Sequence, residues 1–194
     1  MTRIFDIVFA LLGLVLLSPV LIVLMIIGYF DTGSPIFRQE RLGKGKKPFR
    51  LMKFRSMNVN APSVATHLAS ASSITSFGSF LRKSKLDEIP QLWNVFVGDM
   101  SLVGPRPNLI NQEELIHDRD SYGVYFVRPG ITGLAQINKI DMSNPQLLAE
   151  TDAKMIQEFN TLNYFKYILL TVFGKGFGDR IKKDSGKASP SEGS

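Results

Sequence analysis

Ile7-Val8-Phe9-Ala10-Leu11-Leu12-Gly13-Leu14-Val15-Leu16-Leu17-Ser18-Pro19-Val20-Leu21-Ile22-Val23-Leu24-Met25-Ile26-Ile27-Gly28-Tyr29-Phe30 runs for roughly 24 positions without a charged residue. A helix needs about 20 apolar residues to cross the hydrocarbon of a bilayer, so this stretch reads as a membrane element. A cleaved signal peptide has an apolar core of about 7–15 residues followed by a small-residue cleavage site. The run here is longer and ends in Tyr29-Phe30-Asp31, which argues against that alternative. Ser18-Pro19 divides it. Proline removes one backbone hydrogen bond and drives its ring against the preceding turn, so the helix must kink or break there. In lipid the freed carbonyl needs a donor, and the Ser18 hydroxyl is the local one. The residues alone allow two readings: a straight-through span with a mild kink, or a hairpin that enters and leaves by the same face.

Outward from the run, charge is strongly asymmetric. Arg3 precedes it, whereas Arg38 to Arg55 holds eight basic residues against the single acid Glu40. Such a cluster favours the anionic cytoplasmic leaflet, by about 1 kcal/mol per residue near the surface, and marks the side after the run as cytoplasmic. The whole chain of 194 residues carries a formal charge of +6, with a pI of about 9.6. Its partners are therefore expected to be anionic: phosphates, acidic headgroups or nucleic acid. Hydrophobic residues at 44% fit a folded domain, and the absence of cysteine excludes disulfides, thiolate metal sites and cysteine nucleophiles.

Pro35-Ile36-Phe37-Arg38 and Phe49-Arg50-Leu51-Met52-Lys53-Phe54 alternate apolar and polar residues around the loop of residues 43–48, which predicts a β-hairpin. Residues 58–76 are rich in Ser, Ala and Thr and read as a surface loop or lid. A helix is expected to start near Ile89-Pro90 and to end at Gly98, since proline is tolerated in the first turn. Residues 145–157 read as another helix. Residues 164–173 form a short aromatic one, too short to span and so interfacial or buried. The Lys/Ser/Gly/Pro-rich segment 182–194 is expected to be a disordered tail.

The densest reactive groups lie between Arg82 and Pro107. Asp87 and Glu88 precede the expected helix, whose N-terminus would favour an anion. Arg82, Lys83 and Lys85 lie just upstream, and Gly104-Pro105-Arg106-Pro107 holds an arginine on a stiff loop. Taken singly, an acid before a helix is ordinarily a cap worth about 1 kcal/mol, and a turn arginine is ordinarily solvated. Together, two acids and clustered cations are what metal-assisted phosphoryl transfer requires. One carboxylate can hold Mg²⁺, another can attack phosphorus, and arginine forks can neutralise the transferring oxygens.

The block Lys85-Leu86-Asp87-Glu88-Ile89-Pro90-Gln91-Leu92-Trp93-Asn94-Val95, followed by Gly98-Asp99-Met100-Ser101-Leu102-Val103-Gly104-Pro105-Arg106-Pro107, resembles the signature of the monotopic phosphoglycosyltransferases. These are the bacterial sugar transferases that begin polysaccharide and glycoconjugate assembly. The run with Ser18-Pro19, residues 35–43, Lys53-Phe54-Arg55-Ser56-Met57 and residues 128–136 carry the same resemblance, which covers roughly residues 3–155.

The resemblance implies an α+β, mostly helical fold. A re-entrant membrane helix would occupy residues 1–31, turning at Ser18 and Pro19. A small cytoplasmic catalytic domain with interfacial amphipathic helices would occupy 32–181, the whole forming a minimal catalytic unit on the cytoplasmic face of the bacterial inner membrane. It implies a ping-pong transfer of a sugar 1-phosphate from a UDP-sugar to polyprenyl (undecaprenyl) phosphate, through a covalent phosphosugar on Asp87. Glu88 would hold Mg²⁺, with Arg82, Arg106, Lys53 and Arg55 binding phosphate oxygens.

Two positions depart from the family pattern. Leu134 stands where an aromatic is common, and Glu150-Thr151-Asp152 lacks the tyrosines that usually follow, so Asp152 reads equally as a structural residue. A basic membrane-tethered scaffold would leave Asp87-Glu88 idle, and no nucleic-acid recognition motif is visible. The sugar is not legible, and assembly as a homo-oligomer stays open.

Overall fold

The computed structural model describes residues 2–61 and 71–175. The expected tail and the middle of the expected 58–76 loop lie outside the described residues. The apolar run forms two helices, α1 (Thr2–Leu16) and α2 (Ser18–Thr32), bent by 62° at Leu17. Pro19 has no N–H to offer Val15 O, and the Ser18 hydroxyl donates to that carbonyl instead at 2.7 Å, the role expected of it. Gly33, at φ 72°, closes α2 with its N–H on Tyr29 O. No single described helix is long and apolar enough to cross a membrane, although the bent pair passes that test together.

The expected hairpin is present as β1 (Ile36–Leu42) and β2 (Pro48–Phe54), antiparallel, with Ile36 opposite Phe54 and Leu42 opposite Pro48. After β2 the chain closes on itself at an isolated bridge between Met57 and Ile74. The loop between those residues thus leaves and returns at one point. The next helix, α3 (Ser76–Ser84), is N-capped by Thr75 Oγ1, which accepts from Gly78 N at 2.8 Å. A Cβ on Gly78 would lie 2.0 Å from Ser56 O, so only glycine lets α3 pack this closely on the end of β2.

α4 (Gln91–Val97) ends, as expected, at Gly98 in the left-handed conformation, φ 102°. β3 (Ser101–Val103) pairs in parallel with β4 (Gly130–Thr132), and α5 (Glu113–Ser121) fills the crossover between them. The short α6 (Leu134–Ile137), the expected α7 (Pro145–Gln157) and α8 (Thr161–Leu170) follow, and a π-helical turn, Thr171–Lys175, ends the described residues. The fold is α+β and mostly helical.

Among the described residues the buried apolar side chains gather in four small clusters. Ala10 of α1 joins Leu51, Val95 and Met100, and Leu24 of α2 joins Phe54 and Leu81. Val103 and Met155 pack with Tyr164 and Tyr167 of α8. Each arm of the bent pair gives the domain only a narrow strip. Asp6 and Ala10 on α1 and Leu24 and Gly28 on α2 are its buried residues, while Ile4, Val8, Leu12, Leu16, Ile22 and Ile26 are exposed. In the segment 164–173, expected to be interfacial or buried, Tyr164 and Tyr167 are buried, whereas Leu169, Val172 and Phe173 are exposed.

Candidate active site

Asp87 and Glu88 are buried in a tight 3₁₀ turn, Leu86–Glu88, between α3 and α4. Lys85, at φ 59°, ends α3, and Pro90 shapes the step into α4. Pro90 has no N–H for Leu86 O, so the Ile89 N–H takes that carbonyl at 3.3 Å and the turn tightens. The helix therefore begins at Gln91, two residues later than the sequence suggested. The acids are held by a turn rather than by a helix N-terminus.

Two cations from different parts of the fold converge on Glu88. Lys53 Nζ, from β2, lies 3.2 Å from Glu88 Oε1, and Arg106 Nη2 lies 3.1 Å from the same oxygen. The β2–α4 contact is fixed by Asn94, whose side-chain amide completes the edge of β2. Its Oδ1 accepts from Met52 N at 3.0 Å and its Nδ2 donates to Arg50 O at 2.8 Å. Arg82 approaches from α3, its Nε donating to Ser56 Oγ at 2.8 Å. Its Nη1 is buried without a hydrogen-bond partner among the described residues. Arg55 lies elsewhere: Nε donates to Ser34 O at 2.8 Å, and the guanidinium sits 5.5 Å from the centre of the Phe37 ring. Of the sequence candidates, the structure brings Lys53, Glu88 and Arg106 into contact, and it turns Arg55 toward the start of the hairpin.

The loop carrying Arg106 is secured at every carbonyl from 104 to 108. Gly104 O accepts from Gln136 Nε2 at 3.3 Å, Pro105 O from Gly130 N at 2.8 Å, and Arg106 O from Arg119 Nη1 at 2.8 Å. Pro107 O accepts from Arg41 Nη1 at 3.2 Å and Asn108 O from Leu42 N at 3.0 Å. Pro105 and Pro107 bring no N–H groups that would need partners, so Arg106 projects from a segment with little freedom left. Gly130 is obligatory beside it, because a Cβ there would lie 2.0 Å from Gly104 N.

Arg119 was not distinguished by the sequence, since a lone arginine in a charged helix reads as solvated. It is fully buried on α5. Nε and Nη2 both donate to Asp152 Oδ2, at 3.0 and 2.6 Å, and Nη1 also reaches Asn108 Oδ1 at 2.9 Å. Asp152 is likewise fully buried. Burial pushes its carboxyl above the ordinary range while Arg119 pulls it back. Tyr125, also raised by burial, donates to Asn108 Oδ1 at 3.0 Å. Asp152 is thus the counter-ion of the arginine that holds the Arg106 loop.

Among the described residues, no three acidic or histidine side chains converge to form a metal cage. Glu88, in the buried turn, has the oxygen chemistry of the carboxylates that hold Mg²⁺ together with substrate phosphates.

A family model described as bacterial sugar transferase matches residues 1–176, and the chain belongs to that family. It is similar to the UDP-glucose:undecaprenyl-phosphate glucose-1-phosphate transferase of Escherichia coli (strain K12), with 40% identity over 182 residues, 89% of this chain and 39% of that protein. An uncharacterized sugar transferase of Bacillus subtilis (strain 168), EpsL, is 36% identical over 88% of this chain and 84% of its own length. A putative undecaprenyl-phosphate N-acetylgalactosaminyl 1-phosphate transferase of the same organism is 45% identical over 108 residues, 54% of this chain and 60% of that protein. The chain spans only about two fifths of the Escherichia coli relative.

Proposed function

We propose that this chain transfers a sugar 1-phosphate from a UDP-sugar to undecaprenyl phosphate at the cytoplasmic face of the bacterial inner membrane. The observation that carries the reading is the buried Asp87-Glu88 turn, with Lys53 and Arg106 converging on Glu88 Oε1 beside an apolar bent helix pair. The activities for which the relatives are named agree with it.

The Asp87 carboxylate attacks the sugar-proximal phosphorus. The phosphoanhydride bond breaks, UMP departs with the bonding electrons, and a phosphosugar remains on Asp87 as an acyl phosphate. A phosphate oxygen of undecaprenyl phosphate then attacks that phosphorus. The acyl-phosphate bond breaks, the carboxylate is restored, and undecaprenyl diphosphosugar leaves. Arg106 and Lys53 neutralise the phosphoryl oxygens, and the buried Arg82 Nη1 supplies a donor that an anion would satisfy. Glu88 would hold Mg²⁺, which would screen substrate phosphates from the two carboxylates.

Incubating the protein with a UDP-sugar and Mg²⁺ alone should release UMP and add one phosphosugar mass to the peptide containing Asp87. Asp87→Asn should abolish both, because a neutral amide is a very poor nucleophile. An adduct on another residue would overturn the assignment. Activity in Asp87→Asn with no adduct at any time would replace the covalent route by direct transfer.

The same reading makes α1 and α2 a re-entrant hairpin. Each arm has 15 residues, or about 22 Å of helix, short of the roughly 30 Å hydrocarbon core. Both ends of the pair are fastened to one domain. Arg3 donates to Val95 O and Phe96 O at the end of α4, and Asp31 accepts from Thr75 Oγ1 at 2.7 Å ahead of α3.

A further inference from the structure

A cavity of about 350 Å³ opens at the foot of α1 and is lined by none of Asp87, Glu88, Arg82 or Arg106. Three cations stand among its described lining residues: Arg3, Lys44 and Arg128. Two are set in place by the C-terminal end of α4. Arg3 donates to Val95 O at 2.7 Å and Phe96 O at 3.0 Å, and Arg128 Nε donates to Gly98 O at 2.8 Å. Asp6, the one acid among those residues, is buried, and its Oδ1 already accepts from Ser101 Oγ, Leu102 N and Tyr164 OH. Its Oδ2 lies 3.9 Å from Arg3 Nη1, so Arg3 and Asp6 offset each other and Lys44 and Arg128 leave the wall net positive. The rest of the lining includes Phe126, Ile156 and Phe159, with the Phe126 ring 81% exposed. One turn into α1, Ile4 is 70% exposed.

Exposed Lys44 and Arg128 beside exposed apolar side chains suit an anion that carries hydrocarbon. We infer that this cavity holds the phosphate headgroup of an anionic bilayer phospholipid, its chains lying along the exposed face of α1. The inference rests on the re-entrant placement of α1 proposed above, which sets Thr2 and Arg3 at headgroup depth. None of Asp87, Glu88, Arg82 or Arg106 lines it, which sets it apart from the proposed acceptor site. The lipid would bridge α1 and the end of α4, so the bilayer itself would help fix the helix that succeeds the catalytic turn.

The test is titration of the detergent-solubilised full chain with phosphatidylglycerol or phosphatidylcholine, read as intact lipid complexes by native mass spectrometry. The wild type should retain one phosphatidylglycerol in preference to phosphatidylcholine. Lys44→Gln with Arg128→Gln should weaken that binding about tenfold or more, at about fivefold per headgroup-facing cation. Removing equal charge elsewhere, by Lys47→Gln with Lys83→Gln, should change it less than about twofold. UMP release from UDP-sugar should stay intact in the cavity variant, which keeps a folding defect, or a failure of the proposed chemistry, distinct from loss of the lipid. Equal losses in both pairs, or phosphatidylglycerol binding unchanged in the cavity pair, would overturn the inference. A raised KM for undecaprenyl phosphate with phosphatidylglycerol binding unchanged would also overturn it, by giving the cavity to the acceptor.

Discussion

Arg106 and Lys53 share one carboxylate oxygen, and this sharing decides how each residue of the site should respond to substitution. In the proposed reaction the two cations on Glu88 Oε1 would turn toward the incoming phosphate. Lysine at position 106 would keep the charge but lose the planar fork. Arg106→Lys is therefore expected to cut the rate of UMP release on the order of 100- to 1000-fold, the usual cost of losing one oriented transition-state donor. Its thermal unfolding should stay close to wild type, because the loop is held by main-chain carbonyls and not by the guanidinium. A large fall in unfolding temperature would show instead that the side chain is structural. The pair Asp87-Glu88 and the arginine at 106 were legible in the sequence because residue type and close spacing carried the signal. The contact of Lys53 with Glu88 was not legible as a contact, since 35 positions separate them and only the antiparallel register of the hairpin and the Asn94 bridge set that distance.

At the scale of elements, the hairpin, α7 and the break at Ser18-Pro19 could be read directly because each rests on local chemistry: alternation, capping and a missing N–H. The parallel β3–β4 pair could not. Three-residue strands have too little pattern to register, and their pairing depends on Gly104 and Gly130 meeting across 26 positions. The Arg119–Asp152 pair was hidden for the same reason, being formed between two helices that each look charged on their own. Its role can be separated from mere stability. Breaking a buried pair by Asp152→Leu alone leaves an uncompensated guanidinium and should cost about 3–5 kcal/mol. The double change Arg119→Met with Asp152→Leu should recover most of that loss, as apolar replacements of buried pairs often do. The double variant still removes the donor to Arg106 O, so its kcat should remain depressed with a near-normal unfolding temperature. Full recovery of both quantities would make the pair structural only.

Over the whole molecule, the first residues of the chain are bound to some of the last described. Asp6 on α1 accepts from Ser101 Oγ at 3.0 Å, Leu102 N at 2.9 Å and Tyr164 OH at 2.9 Å. Burial and the Asp6 charge hold the Tyr164 hydroxyl firmly protonated, so it remains a donor across the working pH range. Arg3 adds its contacts to the end of α4. A straight helix crossing the bilayer would carry Arg3 and Asp6 to the opposite face and leave those donors and carbonyls buried without partners. Each orphaned buried group costs about 1–3 kcal/mol, a cost that the proposed re-entrant course of the pair, bent by 62° at Leu17, would avoid. Residues on either side of the run should therefore face the cytoplasm together. The chain has no cysteine, so Thr2→Cys and Ser34→Cys can each be introduced singly and treated in intact cells with a membrane-impermeant thiol reagent. Neither should label until the inner membrane is opened, after which both should. Labelling of position 2 from the periplasm, with position 34 still protected, would make the run a spanning helix. The contacts of Arg3 and Asp6 with α4, β3 and α8 would then have to be absent in the membrane-bound protein.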